Sequence, residues 1–379
     1  MSEAGTQRGR VTYVVSEPET LAWASQFLAT DRHVIAVGHG ALPGVDEVIP
    51  SRLSAEEIAA RVIASSPETV ILLTSQARLD VDARLGVLLR AERESVWCPS
   101  PEFARLGASK ISMKRRLIEH GVSVTPGTEC EHVEDATRRL VDQSEFLLKH
   151  PRLSEGRFMR LVRSAEEVAA YFYDLAIDAP VLMETLVDGL EFSAIGLVFG
   201  DDLKVLPAVY KGGTAYLRQS AKPTERWYSI DRQLPGAVQG AIRHLVADVA
   251  TATRAEGMFG VDIVWGDAGP AVIEVNTRLV ETMRMSMLAC GRNVLRDISD
   301  YLAVGNAPPS VSPERFVVDA PAVSLGEAWM RLPGAVAGAL RASVPFEREA
   351  AMLEVLPSSH GIDRARDVAG STTESVQDE

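Results

Sequence analysis

The chain has 379 residues, 46% hydrophobic and 24% charged, with 39 basic against 52 acidic side chains and a net charge of −13. That length divides into two or three domains of an ordinary soluble globular protein, and the negative balance argues against a general nucleic-acid or anionic-membrane surface while leaving room for a local basic pocket that holds phosphate. Three scattered cysteines, Cys98, Cys130 and Cys290, show no CxxC or histidine-rich spacing, so neither a disulfide framework nor a structural zinc site is expected and a reducing cytoplasm fits best.

The opening MSEAGTQRGR has no apolar centre for a signal peptide, and no run of about 18 apolar residues occurs, so export and membrane insertion lack support. Over the first hundred residues the apolar runs VTYVV, HVIAVG, TVILLT and SVWCPS alternate with the helical stretches PETLAWASQFLA, SAEEIAARVIAS and DVDARLGVLLRAER. This βαβα rhythm predicts a parallel sheet with helices on both faces, and Ser54 followed by Glu57 predicts a capping box. The first strand runs into VSEPET without a GxGxxG, which speaks against a dinucleotide site. Residues 102–120 read as one or two helices broken near Gly107, with Gly121 as the stop.

From about residue 124 a small α+β unit begins: strand FLLKH, loop PRLSEGR, strand FMRLV, helix SAEEVAAYFYDLA and strand VLMETL. A third unit opens with EFSAIGLVFGDDLKVLPAVY, a hairpin turned at Gly200, Asp201 and Asp202. It continues through a helix near 235–256 to the strand pair FGVDIVW and AVIEVN, joined by GDAGP. The expected organisation is an N-terminal α/β domain (1–120), a small unit (121–185), a larger α+β unit (186–305), an appended lobe (306–362) and a disordered tail (363–379).

Within AVIEVNTRLVE, Glu274, Asn276 and Arg278 alternate by two, which on a strand sends all three side chains to one face. The tight turn before them brings Asp262 of FGVDIVW alongside, and an acid embedded in so apolar a run is costly unless something compensates it. Hard oxygen ligands in such a cluster suit magnesium completed by nucleotide phosphates. Basic residues are also uneven: six lysines stand against 33 arginines, and all six fall between Lys110 and Lys222. In a chain that defaults to arginine, a retained lysine suggests a task for a compact ammonium.

On these residues the chain resembles the ATP-grasp superfamily. The run EVNTR is close to that of biotin carboxylase, and Asp262 precedes Glu274 by the twelve residues that this family shows. The resemblance implies Asp262, Glu274 and Asn276 as magnesium ligands, with manganese as an admissible substitute, and Arg278 facing an acyl phosphate or the transferred phosphoryl group. GASKISMKRRLIEHGVSVTPG is similar to glycinamide ribonucleotide synthetase, and the resemblance implies Lys110 as a phosphate lysine. Lys149 of FLLKH matches the second nucleotide lysine. In VLMETLVDGLEFS, Glu184, Thr185, Leu186 and Val187 match the hinge whose backbone reads the adenine edge, and Glu191 matches the acid that holds the ribose hydroxyls. These matches span residues 107–290, and the βαβα N-terminus resembles the domain that precedes them in such enzymes. The implied fold is an ATP-grasp fold in which the small α+β unit is a lid. One departure stands out: where carboxylase-type loops are a string of glycines, PRLSEGR keeps only Gly156, and Arg157 would then supply charge in place of bare backbone donors.

The reaction implied is attack of a small carboxylate on the γ-phosphate of ATP, followed by capture of the acyl phosphate by an amine, giving an amide or peptide bond with release of ADP. Arg284 and Arg292 of TMRMSMLACGRN are candidates for a substrate carboxylate, with helix-surface charge as the competing reading. A stand-alone ligase acting on an amino acid or related carboxylate in specialised metabolism is the leading expectation, in the cytoplasm, with a homodimer admitted and no nucleic-acid or membrane partner. A glycinamide ribonucleotide synthetase-like or biotin carboxylase-like enzyme and a non-catalytic nucleotide-binding protein are the alternatives. Against the first of these stands Leu-Val-Glu-Thr after the metal strand, where that family carries Gly-Asp-Pro-Glu.

Overall fold

A computed structural model describes residues 11–16, 24–29, 32–38, 44–92, 95–140, 144–152, 158–177, 180–219, 228–230, 236–312, 317–319 and 350–351. Five parallel strands form the N-terminal sheet: β1 (Val11–Val15), β2 (Arg32–Val37), β3 (Glu47–Ile49), β4 (Thr69–Leu73) and β5 (Val96–Trp97), in the order β3-β2-β1-β4-β5. β1 and β4 are buried at every residue, as their unbroken apolar runs require of strands covered on both faces. The edge strand β3 was not anticipated, since three residues of GVDEVIP are too few to show a period. Helix α1 (Ala55–Ala64) carries the expected capping box between Ser54 and Glu57, and α2 (Leu79–Glu92) follows β4. Of the helix expected over PETLAWASQFLA only the short 3-10 turn Ser25–Phe27 is described; residues 17–23 lie outside the described residues.

Helices α3 (Pro101–Gly107) and α4 (Lys110–Glu119) meet at the break anticipated near Gly107. A Cβ on Gly107 would lie 2.0 Å from Thr277 Oγ1, so glycine is what lets this corner close on the strand that carries Asn276. Gly121, at φ 73°, turns the chain out of α4.

The small sheet is antiparallel, β6 (Gly127–Cys130), β7 (Phe146–Lys149), β8 (Met159–Val162) and β9 (Val181–Glu184), in the order β6-β9-β7-β8. Phe146 and Leu148 of β7 and Val181 and Met183 of β9 turn one face toward helices α5 (Val133–Leu140) and α6 (Ala165–Asp174), where Ala136, Val168, Tyr171 and Phe172 complete a separate core. Period two therefore places Lys149 and Glu184 together on the opposite face. Neither β6 nor α5 shows in the sequence, because GTEC is short and half-exposed and α5 buries only Ala136.

The large sheet contains β10 (Leu190–Phe199), β11 (Asp202–Val205), β12 (Val209–Gly213), β13 (Tyr228–Ile230), β14 (Gly257–Gly266), β15 (Gly269–Asn276), β16 (Val317–Asp319) and β17 (Ala350–Ala351). Its order is β15-β14-β10-β12-β13-β16-β17, with β11 on β10. The segment expected as an appended lobe thus supplies β16 and β17 to this sheet, while residues 320–349 and the expected disordered tail lie outside the described residues. Helix α7 (Gly236–Thr253) packs Ile242, Val246 and Val249 against Phe192, Val261 and Val275, with Phe103 of α3 and Met113 and Leu117 of α4 in the same core. Helices α8 (Thr282–Cys290) and α9 (Val294–Val304) bring Met283, Met287, Leu295 and Ile298 against Tyr13, Ile71 and Trp97, tying the N-terminal sheet to the large one. Among the described residues no helix is long and apolar enough to cross a membrane.

Candidate functional site

The hairpin of β14 and β15 sets Asp262 opposite Glu274, with a shift of register between Asp262 and Ile263. Asp262 is the first partly open position in a strand otherwise buried from Gly257 to Val264, so its carboxylate faces a cleft. Each of these two acids has its own lysine. Lys110, the first residue of α4, places its Nζ 2.5 Å from Glu274 Oε1. Lys211 of β12 reaches across β10 to put its Nζ 3.2 Å from Asp262 Oδ2. Asn276 ends β15 opposite Gly260, partly exposed like Glu274.

Arg278 lies past the end of β15, so the polar row on the strand consists of Glu274 and Asn276, and the arginine stands on the turn that follows. Its Nε donates to Gln76 Oε1 at 3.4 Å and its Nη1 to the Leu279 carbonyl at 3.1 Å. Gln76 donates in turn to the Gly107 carbonyl at 3.3 Å, so this arginine sits where the N-terminal sheet meets the β14–β15 hairpin.

A second cluster adjoins the first. Glu184, the last residue of β9, is 1% exposed, and its two carboxylate oxygens are divided between cations: Lys114 of α4 pairs with Oε1 and Lys149 of β7 with Oε2. Thr125 Oγ1 accepts from Lys114 Nζ at 3.0 Å and donates to Glu184 Oε1 at 2.9 Å. Burial alone would raise the Glu184 carboxyl, but Lys149 and Lys114 outweigh it and hold it below the usual carboxylate range. For Lys149 burial works downward and is overcome by Glu184, Glu274 and Glu191, leaving the ammonium above its ordinary value. For Lys114 burial wins over Glu184, and the neighbouring Lys149 adds to the depression.

Thr125 also marks where the small sheet joins the large one. Its amide donates to the Val272 carbonyl at 3.0 Å, while Thr185 N donates to the Pro126 carbonyl at 2.9 Å. After this second crossing Leu186 is buried and Asp188 is held by Arg218. Gly189 donates to Thr214 Oγ1 at 3.0 Å, and Glu191, at the head of β10, is buried. The hinge residues Glu184, Thr185, Leu186 and Val187, with Glu191, thus line one corner beside Lys149 and Glu274.

Three expected site residues stand apart. Arg157 lies outside the described residues. Arg284 is half-buried on α8. Arg292 donates from Nε and Nη2 to Asp297 at 3.1 and 2.8 Å, a two-pronged pair within the start of α9. Conversely, Lys114, Thr125 and Lys211 were not singled out. The signal was present in the lysine count, since four of the six lysines, Lys110, Lys114, Lys149 and Lys211, meet Asp262, Glu184 and Glu274.

No group of three or more His, Cys, Asp or Glu side chains placed to hold a metal ion occurs among the described residues. The candidate donor set is of another kind: two carboxylates on adjacent strands and one amide oxygen, all hard oxygen donors, with one open side. That chemistry fits magnesium shared with phosphate oxygens.

Residues 107–282 match the sequence family described as the ATP-grasp domain. A D-alanine–D-alanine ligase of Syntrophotalea carbinolica is 26% identical over 173 residues, 45% of this chain and 56% of that protein. A phosphoribosylamine–glycine ligase of Corynebacterium ammoniagenes is 23% identical over 255 residues, 63% of this chain and 58% of that protein. The chain therefore spans less than two thirds of the length of these curated relatives. Among solved structures, an L-amino acid ligase from Bacillus licheniformis superposes with a TM-score of 0.63 at 16% identity, covering 83% of this chain and 80% of that one.

Proposed function

We propose that this chain, whose residues 107–282 form an ATP-grasp domain, is an ATP-dependent carboxylate–amine ligase that makes an amide or peptide bond through an acyl phosphate and releases ADP and phosphate. The observation that carries the reading is the convergence of four lysines on Glu184, Asp262 and Glu274 where α4, β7, β9, β12, β14 and β15 meet. A site that stores so many ammonium groups on carboxylates has the charge to receive a polyphosphate and to exchange one set of anions for another. The names of the two curated relatives, both ligases that join a carboxylate to an amine, support the same class.

In this reading the backbone of Glu184 to Val187 meets the adenine edge and Glu191 the ribose hydroxyls, while Lys110 and Lys149 hold phosphates. Asp262, Glu274 and Asn276 hold magnesium, with manganese able to replace it, and the ion offsets charge on the phosphoryl group. Lys211, 3.2 Å from Asp262, would stand beside the phosphates with its ammonium available to them. Arg278 stands at the mouth between the N-terminal domain and the hairpin, placed to face the acyl phosphate. Arg157 covers the phosphates from the loop after Lys149, and Arg284 remains the candidate for a substrate carboxylate. The small sheet closes over this centre and excludes the water that would hydrolyse an acyl phosphate. The carboxylate is an amino acid or a related small acid of specialised metabolism.

The test is a screen of pooled amino acids and amines with Mg-ATP, reading inorganic phosphate and separating the nucleotide products by ion exchange. ADP and phosphate formed only when both a carboxylate and an amine are present support the ligase. AMP with pyrophosphate, or no dependence on any carboxylate, would overturn it.

A further inference from the structure

We infer that Lys114 is a positioning residue that frees Lys149 for the nucleotide, by remaining as the standing counter-ion of the buried Glu184 carboxylate when the Lys149 ammonium leaves it for phosphate. The inference rests on the proposed role of Lys149 as a phosphate lysine and adds a residue that this role requires.

Lys149 is paired with Glu184 Oε2, and Glu184 is 1% exposed. A lysine drawn from that oxygen toward a phosphate would strand a carboxylate with almost no access to water, which is among the costliest arrangements a protein can hold. The structure contains the remedy. Lys114 pairs with the other oxygen, Oε1, and is itself buried, while Thr125 Oγ1 donates a hydrogen bond to Oε1 at 2.9 Å. Two ammonium groups share the Glu184 carboxylate, and Lys149 also lies in the field of Glu274 and Glu191, so Lys114 can stay on Glu184 while Lys149 is directed at a ligand.

Position decides which lysine moves. Lys114 is one helical turn after Lys110 on the same face of α4, in a helix packed into the core of the large domain through Met113 and Leu117. Thr125 is fixed by its backbone to Val272 of the large sheet. Lys149 ends β7 of the small sheet, whose core is separate. Lys114 and Thr125 thus belong to the large unit and meet Glu184 where β9 ends, whereas Lys149 ends the neighbouring strand β7, beside the loop whose Pro151 carbonyl accepts from Lys110 N at 2.8 Å. Lys110 and Lys211 pair instead with Glu274 and Asp262.

The experiment measures the affinity for a non-hydrolysable ATP analogue with magnesium, by titration calorimetry, in wild type, Lys114→Met, Glu184→Gln, the Lys114→Met/Glu184→Gln double variant and Lys149→Met. Lys114→Met should weaken binding about tenfold, because Lys149 becomes the only ammonium left to Glu184 and is retained there. Once Glu184 is neutral the same substitution should cost less than about threefold. KM for ATP should rise in Lys114→Met while kcat at saturating ATP stays within a few-fold. Thr125→Val, which leaves every charge in place, should weaken binding in the same direction by a smaller factor, and it serves if Lys114→Met does not fold. Unchanged affinity in both Lys114→Met and Thr125→Val, or an equal loss from Lys114→Met with and without Glu184→Gln, would overturn the inference. A wild type that binds no nucleotide, or a Lys149→Met that binds as wild type does, would instead overturn the nucleotide reading and the inference with it.

Discussion

Lys211 Nζ lies 3.2 Å from Asp262 Oδ2, two strands away across β10, with both side chains largely sheltered at 15% and 21% exposure. The pair holds each charge in a cleft where a free one would be poorly solvated, and it keeps the ammonium beside the place proposed for metal and phosphate. Lys211→Met should therefore lower phosphate release by about a hundredfold, the usual cost of losing one preorganised donor at developing charge. The thermal midpoint should move by no more than a few degrees, because a partly exposed pair contributes little to stability. Turnover equal to wild type would remove Lys211 from the site.

The same pairing governs how the protein responds to metal. Asp262 and Glu274 are each paired with a lysine, so magnesium without ATP would have to displace an ammonium and offer it no other anion. In the proposed reading, magnesium that comes with ATP would leave both lysines a phosphate to pair with. Magnesium alone at about 10 mM should leave the thermal midpoint unchanged, whereas Mg-ATP at about a hundred times its Kd should stabilise by about 2.7 kcal/mol. Asp262→Asn and Glu274→Gln should abolish the second shift. A shift with magnesium alone as large as with Mg-ATP would show an independent metal site and contradict the coupling.

Much of this arrangement could be read from the chain because the residues sit where periodicity is strong. The runs TVILL and VTYVV could only be buried parallel strands, and FGVDIVW with AVIEVN around a Gly-Asp-Ala-Gly turn could only be a hairpin. The features that stayed hidden have a common physical cause. Lys114 and Lys211 look like surface lysines on a helix and a strand until the third dimension sets them against Glu184 and Asp262 from distant parts of the chain. The pair of Arg292 with Asp297, five residues on, was likewise invisible in the sequence pattern. Long-range ion pairs leave no local pattern, yet the scarcity of lysine in an arginine-rich chain was a compositional trace of them.

A third prediction concerns the N-terminal domain. Asp82 of α2 is buried, and burial pushes its carboxyl up to about 6, against the hydroxyl of Ser16 that donates to Oδ2 at 2.9 Å and Arg78 at 3.7 Å from Oδ1. In the folded protein it keeps its proton at pH values where the unfolded chain has lost it. Its contribution to stability is therefore greatest below the unfolded value of 3.8 and is lost as pH rises through about 6. The loss amounts to about 3 kcal/mol across that window. Thermal midpoints taken from pH 4.5 to 7.5 should fall more steeply with pH in wild type than in Asp82→Asn, which has no proton to lose. Parallel curves would show that Asp82 is ionised throughout.

The last prediction concerns what restrains the small sheet from the side away from Lys114. Arg218, in the 3-10 turn Thr214–Gln219 after β12, donates from Nε to Glu145 Oε1 at 2.7 Å and grips Asp188 with both terminal nitrogens. Glu145 stands just before β7 and also accepts from Arg163 Nε at 3.1 Å, just after β8, so Arg218 reaches this end of the β7–β8 pair through Glu145 and the second crossing through Asp188. The groups are partly exposed, and such a network contributes on the order of 1 kcal/mol, enough to change a closing equilibrium about fivefold but not to unfold the domain. Arg218→Ala should therefore raise hydrogen exchange in residues 144–152 and 158–163 without nucleotide and increase KM for ATP by up to about fivefold. Exchange in the N-terminal sheet should not change, since no residue of that sheet touches the network. If residues 144–152 exchange as in wild type, other contacts hold the small sheet, among them Lys114 and Thr125 on Glu184 and Lys110 N on the Pro151 carbonyl, and Arg218 has no part in its motion.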